Sequence, residues 1–140
     1  MTDISNDRAA VVAKEIAAVG GRSRAWELDV SDSGAIGSVV DEVADWGGRL
    51  DILVNNAGMA AGGLIDGEGF EEGWQRAIDV MLTAQALMIR ACLPHLRGSP
   101  AGRIVNVSST EGVGGSAGMS PYTVAKHGVL GLTRSLAVEL

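Results

Sequence analysis

Three short apolar runs, at residues 25–28, 50–54 and 103–107, end in turn-forming residues and alternate with longer stretches of helical periodicity. This alternation constrains the chain more than any other feature. Strands that are apolar at successive positions need cover on both faces, and a helix between two strands sets them parallel. The first helical stretch is residues 7–19, with Val11, Val12, Ala13, Ile16 and Val19 at helical spacing and Gly20-Gly21 as its stop. Ser31 or Asp32 caps the second, whose inner face is Ile36, Val39, Val40 and Val43 and whose end is Gly47-Gly48. Six glycines between Gly58 and Gly73 forbid regular structure there. Periodicity resumes over residues 71–96, with Trp74, Ile78, Met81, Leu82, Met88, Cys92 and Leu96 as candidate buried positions. Ser120-Pro121 opens a last helix, serine as cap and proline in the first turn. The expected class is α/β: one parallel sheet, three visible strands and four helices.

At 140 residues the chain forms one domain, and 46% hydrophobic with 20% charged residues is globular composition. A net charge of −6 argues against a nucleic-acid partner, because binding a phosphate backbone takes clustered Lys and Arg. The lone Cys92 rules out an internal disulfide and a cysteine-built metal site, and reads as a buried thiol; no metal is expected. No run approaches the roughly 18 apolar residues of a membrane span, and no basic–apolar leader opens the chain. The expectation is a cytoplasmic protein with neither membrane nor nucleic acid as partner. Trp26, Trp46 and Trp74 fall on separate elements and read as core or rim packing, and His127 as surface.

Tyr122 and Lys126 stand four apart on the last helix, so their side chains share a face and can meet. A phenol with its unperturbed pKa near ~10 is a poor base at neutral pH, and a neighbouring ammonium favours its ionised form. Ser109 follows the third strand, at the sheet end where open parallel sheets hold their ligands. Taken alone, each of these is ordinary: a Tyr–Lys pair on a solvated helix face, an Asp after a strand, an Asn-Gly turn.

Together the residues are more specific. Asp29-Val30, Asn55-Asn56-Ala57-Gly58, Asn106-Val107-Ser108-Ser109 and Tyr122-x-x-x-Lys126 resemble the short-chain dehydrogenase/reductase family, and the likeness runs over essentially the whole chain. It implies a partial Rossmann-like doubly wound sheet, flanking strands missing, over residues 1–140. It implies Tyr122 as acid/base, Lys126 lowering its pKa and holding the nicotinamide ribose, and Ser109 positioning the oxygen of an alcohol or carbonyl substrate. Asp29 and Val30 would lie against adenine, and Asn56, Ala57 and Gly58 would line the cofactor. Asn106 reads as structural. Asp3 falls where the family ends its second strand; an acid there accepts from the ribose 2′-hydroxyl and repels a 2′-phosphate, and no Arg or Lys is read nearby. NAD is therefore expected over NADP. A homo-oligomer is expected of the complete protein, through the helices at 71–96 and 120–140.

Three departures accompany the likeness. The family's glycine-rich phosphate loop does not precede Asp3, and its later strands do not follow Leu140. The strands at 25–28 and 50–54 are then left without their neighbours, and the expectation is a fragment truncated at both ends. Met81 stands where the family has an asparagine that helps hold a water behind the lysine, and methionine donates no hydrogen bond. The alternative reading is a catalytically inactive fragment that retains only helix-mediated association.

Overall fold

The computed structural model describes residues 1–140. In chain order the elements are β1 (Thr2–Asp3), α1 (Asn6–Ala18), β2 (Trp26–Glu27), α2 (Ser33–Gly47) and β3 (Ile52–Asn55). There follow α3 (Phe70–Ile78), a π-helical turn (Asp79–Thr83), α4 (Ala84–Arg97), β4 (Arg103–Asn106), a 3-10 turn (Thr110–Gly112) and α5 (Ser120–Glu139). The class is the expected α/β, with one more strand than the sequence suggested.

That strand is β1. It pairs in parallel with β2, and the ladder extends from Trp26 N–H to the Met1 carbonyl and from Leu28 N–H to the Asp3 carbonyl. The run at 25–28 therefore has a neighbour, contrary to expectation, supplied by the first residues of the chain. β3 and β4 form a second parallel pair, Leu53 opposite Ile104 and Val54 opposite Val105. No ladder joins the two pairs.

The helix ends follow local chemistry. Asp32, and not Ser31, caps α2, its carboxylate accepting from Gly34 N–H at 2.9 Å and Ala35 N–H at 3.3 Å. Gly48 closes that helix at φ +76°, a left-handed conformation open to glycine at little cost.

One core joins Leu28, Ile36, Val40, Leu53, Ile89, Cys92 and Leu96, fastening α2 and α4 to the sheet. A second joins Ala61, Ala77, Met81 and Ala125, where the α3 end of the long helix meets α5. The continuous helix Phe70–Arg97 is by length and mean hydropathy apolar enough to cross a membrane, unlike the reading from sequence; here its apolar residues serve both cores. Cover on β3–β4 is one-sided. Leu53 is buried, while Ile52 and Val54 are 57% and 55% exposed on the opposite face.

Contacts between distant segments complete the packing, with the tryptophans in core and rim positions as expected. Trp26 and Trp46 meet edge to face, ring centres 5.5 Å apart, with the Arg22 guanidinium over Trp46. Trp74, Ile78, Leu82 and Met88 are half-buried, and Ala77, Ala84, Gln85 and Ile89 take the interior instead. Burial pushes the Cys92 thiol up to about 11, the behaviour of an inert packing residue.

Ile89→Ala is expected to destabilise the fold by about 2–5 kcal/mol in urea unfolding, while Val11→Ala on an exposed face changes it by under about 0.5 kcal/mol. Equal effects would mean the main core lies elsewhere.

Candidate active site

The ends of β3 and β4 are tied to α5 by a string of side chains. Asn55 donates through Nδ2 to Asn106 Oδ1 at 2.9 Å, and Asn106 Nδ2 donates to Thr133 Oγ1 at 3.0 Å. Thr133 in turn donates to the Val129 carbonyl on its own helix. Asn106 is structural, as read from sequence.

Beyond β4 the chain and the helix exchange bonds. Lys126 Nζ donates to the Val107 carbonyl at 2.9 Å, and Ser108 Oγ donates to the Lys126 carbonyl at 3.0 Å. Lys126 is 4% exposed, so its face of α5 is not a solvated one. Nζ lies 5.6 Å from the centre of the Tyr122 ring, one turn earlier on the same face. Ser109 begins the 3-10 turn, its Oγ accepting from Glu111 N–H at 3.2 Å while its own proton stays available. The turn packs on α5 because residue 112 is glycine. A Cβ there would lie 2.5 Å from Ser108 Oγ and 3.0 Å from the Lys126 carbonyl oxygen.

A second group gathers where β2 and β3 end. Val30, Asn55 and Ala57 line a small recess with Val80, Ala84, Gln85 and Met88. Asn56, Ala57 and Gly58 are exposed beside it. Gln85 was not anticipated; it is 3% exposed, and neither its Oε1 nor its Nε2 has a protein partner. The sequence signal was a lone amide within an apolar helical stripe. Asp29, also exposed, uses one oxygen, Oδ1, to accept from Ser31 N–H and Oγ–H, and these bonds hold its carboxyl below the usual range.

Asp3 corrects one expectation. Its Oδ1 accepts from Arg8 Nε at 3.0 Å, Arg8 Nη2 at 2.6 Å and Ser5 N–H at 2.8 Å, which lower its pKa. A cation does stand beside Asp3, brought there by the first turn of α1.

The donor set fits the adenosine half and the nicotinamide ribose of a dinucleotide. Asp3 and Asp29 each keep Oδ2 out of these bonds. The Lys126 ammonium spends one of its three N–H donors on Val107. Gln85 adds an unpaired amide at the recess. No set of three His, Cys, Asp or Glu side chains is placed to hold a metal. A cavity of about 390 Å³ lies apart from Ser109, Tyr122 and Lys126, against Leu93, Leu96, Ile104, Leu136 and Leu140. Met81 is fully buried with Ala61, Ala77 and Ala125, so at this position the chain has core packing in place of an amide.

The family model described as short chain dehydrogenase matches residues 1–140. A (2S)-[(R)-hydroxy(phenyl)methyl]succinyl-CoA dehydrogenase subunit of Thauera aromatica is 38% identical over all of this chain and 56% of its own length. A 3-oxoacyl-[acyl-carrier-protein] reductase of Thermotoga maritima is 36% identical over 99% of this chain and 56% of its own. The crystal structure of a metagenomic short-chain oxidoreductase in complex with NADP superposes with a TM-score of 0.91 at 36% identity, over 99% of this chain and 63% of that one. The chain belongs to the short-chain dehydrogenase family, and spans about half the length of the curated relatives it matches.

Gly112→Ala is expected to force the 3-10 turn away from α5 and lower stability by about 1–3 kcal/mol, read as a drop in Tm. An unchanged Tm would mean that the turn does not depend on this close approach.

Proposed function

We propose that this sequence carries the catalytic half of an NAD(P)-dependent oxidoreductase that interconverts a small-molecule alcohol and a carbonyl. The observation that carries the reading is Lys126, buried against Tyr122 and fixed to Val107 at the strand end where Ser109 follows. A buried ammonium is costly to keep unless its charge is used or compensated.

The geometry supports the following division of labour. Ser109 Oγ–H donates to the substrate oxygen, one of its two lone pairs being engaged by Glu111 N–H. Tyr122 Oη takes the hydroxyl proton in oxidation and returns one in reduction. Lys126 sets its positive charge beside the phenol and has N–H donors left for the ribose. When bound, the nicotinamide supplies or accepts the hydride. Val30, Asn56, Ala57 and Gly58 line the cofactor, with Asp29 and Asp3 on its adenosine side.

Tyr122→Phe removes the proton donor while keeping the ring, and is expected to lower kcat by about 10²–10⁴-fold in dinucleotide-coupled turnover of a secondary alcohol. Retained turnover would assign the proton to another group.

Asp3 favours the ribose 2′-hydroxyl of NAD, but Arg8 brings a cation to the same edge, and the metagenomic relative is of a complex with NADP. The reading is therefore NAD(P), with Asp3 and Arg8 sharing the 2′ position. Arg8→Ala is expected to lower kcat/KM for NADP about tenfold more than for NAD, a difference of about 1.4 kcal/mol. Equal losses would limit Arg8 to steadying Asp3.

A second reading is favoured by the sheet, because β1–β2 and β3–β4 remain separate pairs. On that reading the 140 residues alone do not turn over substrate, and associate with copies of themselves through α4 and α5. Dinucleotide binding by calorimetry separates the two.

A further inference from the structure

The loop between Ser109 and Tyr122 contains Gly112, Gly114, Gly115 and Gly118, so its backbone has much freedom to lose. It is nevertheless held at several points. Glu111 Oε1 accepts from Ser116 Oγ at 2.6 Å. Its Oε2 accepts from Ser116 N–H at 3.2 Å and from Thr123 Oγ1 at 2.5 Å. The backbone N–H of the same residue donates to Ser109 Oγ. On the loop's far side, Gly63 N–H donates to the Gly118 carbonyl at 2.7 Å. The second glycine-rich loop is thereby joined to the first.

We propose that Glu111 is a positioning residue that sets Ser109, the loop at residues 112–118 and the Tyr122 turn of α5 in one fixed relation. The proposal rests on the reading of Ser109 and Tyr122 as catalytic. Its carboxylate bridges the loop, at Ser116, to the residue directly after Tyr122. Its amide occupies a lone pair of Ser109 and leaves the hydroxyl proton to point toward substrate. One residue thus fixes both partners of the reacting oxygen, and displacements of about 1 Å at such a site cost roughly 10²-fold in rate. Bonds to an ionised acceptor are stronger than neutral ones, which suits this role.

The bonds from Ser116 and Thr123, with a smaller contribution from the charge of His127, hold the Glu111 carboxyl below its usual range. The sign follows: the clamp adds stability above the ordinary glutamate range and loses it as pH falls through the lower folded value.

The test compares the chain with Glu111→Ala, Glu111→Gln and Tyr122→Phe. It reads amide hydrogen exchange at residues 112–118, the ring ¹³C signal of Tyr122, and kcat and KM with 1-phenylethanol and NAD or NADP. Tyr122 is the sole tyrosine, so its signal needs no assignment. Glu111→Ala should speed exchange in the loop at least about tenfold and move the Tyr122 signal. It should lower kcat by about 10–100-fold with the KM for dinucleotide unchanged. Glu111→Gln, which keeps one acceptor oxygen, should recover part of each effect. Unchanged exchange overturns the clamp, and faster exchange with unchanged kcat overturns its positioning role. Full turnover in Tyr122→Phe, or none in the unsubstituted chain, overturns the functional reading instead. Exchange and the Tyr122 signal then still decide whether the clamp exists.

Discussion

The site depends on a reciprocal pair of bonds between a strand end and the middle of a helix. Lys126 donates its ammonium proton to the Val107 carbonyl, and Ser108 returns a hydroxyl proton to the Lys126 carbonyl. Neither bond is dispensable where both groups are shielded from water, since an unpaired buried charge is far costlier than an unpaired surface one. Because the ammonium must meet that carbonyl, α5 is fixed in height and rotation relative to β4. The phenol one turn away is fixed with it. Gly112 permits the approach and the Asn55–Asn106–Thr133 string repeats the fastening two turns further along.

This arrangement explains which parts of the site were legible in the sequence. Tyr122 and Lys126 were, because four-residue spacing on a helix settles a shared face before any tertiary contact exists. The place of Ser109 just beyond β4 was legible, because a strand followed by a serine turn is a local event; its choice over Ser108 rests on the spacing to Tyr122 that the family resemblance implies. Arg8 beside Asp3 was not: the contact crosses the cap of α1, and only the fold brings the guanidinium back over the strand end. β1 went unread because two residues carry no alternation and little propensity; its existence rests on pairing with β2. The Trp26–Trp46 contact and the Glu111 clamp are likewise products of segments meeting in space.

The apolar runs were read as strands covered on both faces, and on β3–β4 the structure covers one. Ile52, Val54 and Val105 share the outer face, opposite the core residue Leu53. Continuous hydrophobicity along a strand states that both faces are meant to be dry, but not which residues will dry them. The 140 residues, about half of each relative, supply α2, α4 and α5 to the inner face.

The π-helical turn at Asp79–Thr83 has a bearing on how this helix can vary. Interior residues Ala77, Met81, Gln85 and Ile89 recur every fourth position. At 3.6 residues per turn that spacing drifts by about 40° per step, so a plain helix would carry Ile89 about 120° away from Ala77. The wider turn absorbs most of the drift and acts as a phase corrector between two cores. A deletion of one residue in that turn would make the helix regular and leave its phase nearly unchanged. Ile89 would then stand eleven residues from Ala77, about 20° away around the axis, so Ile89, Cys92 and Leu96 would keep facing the sheet.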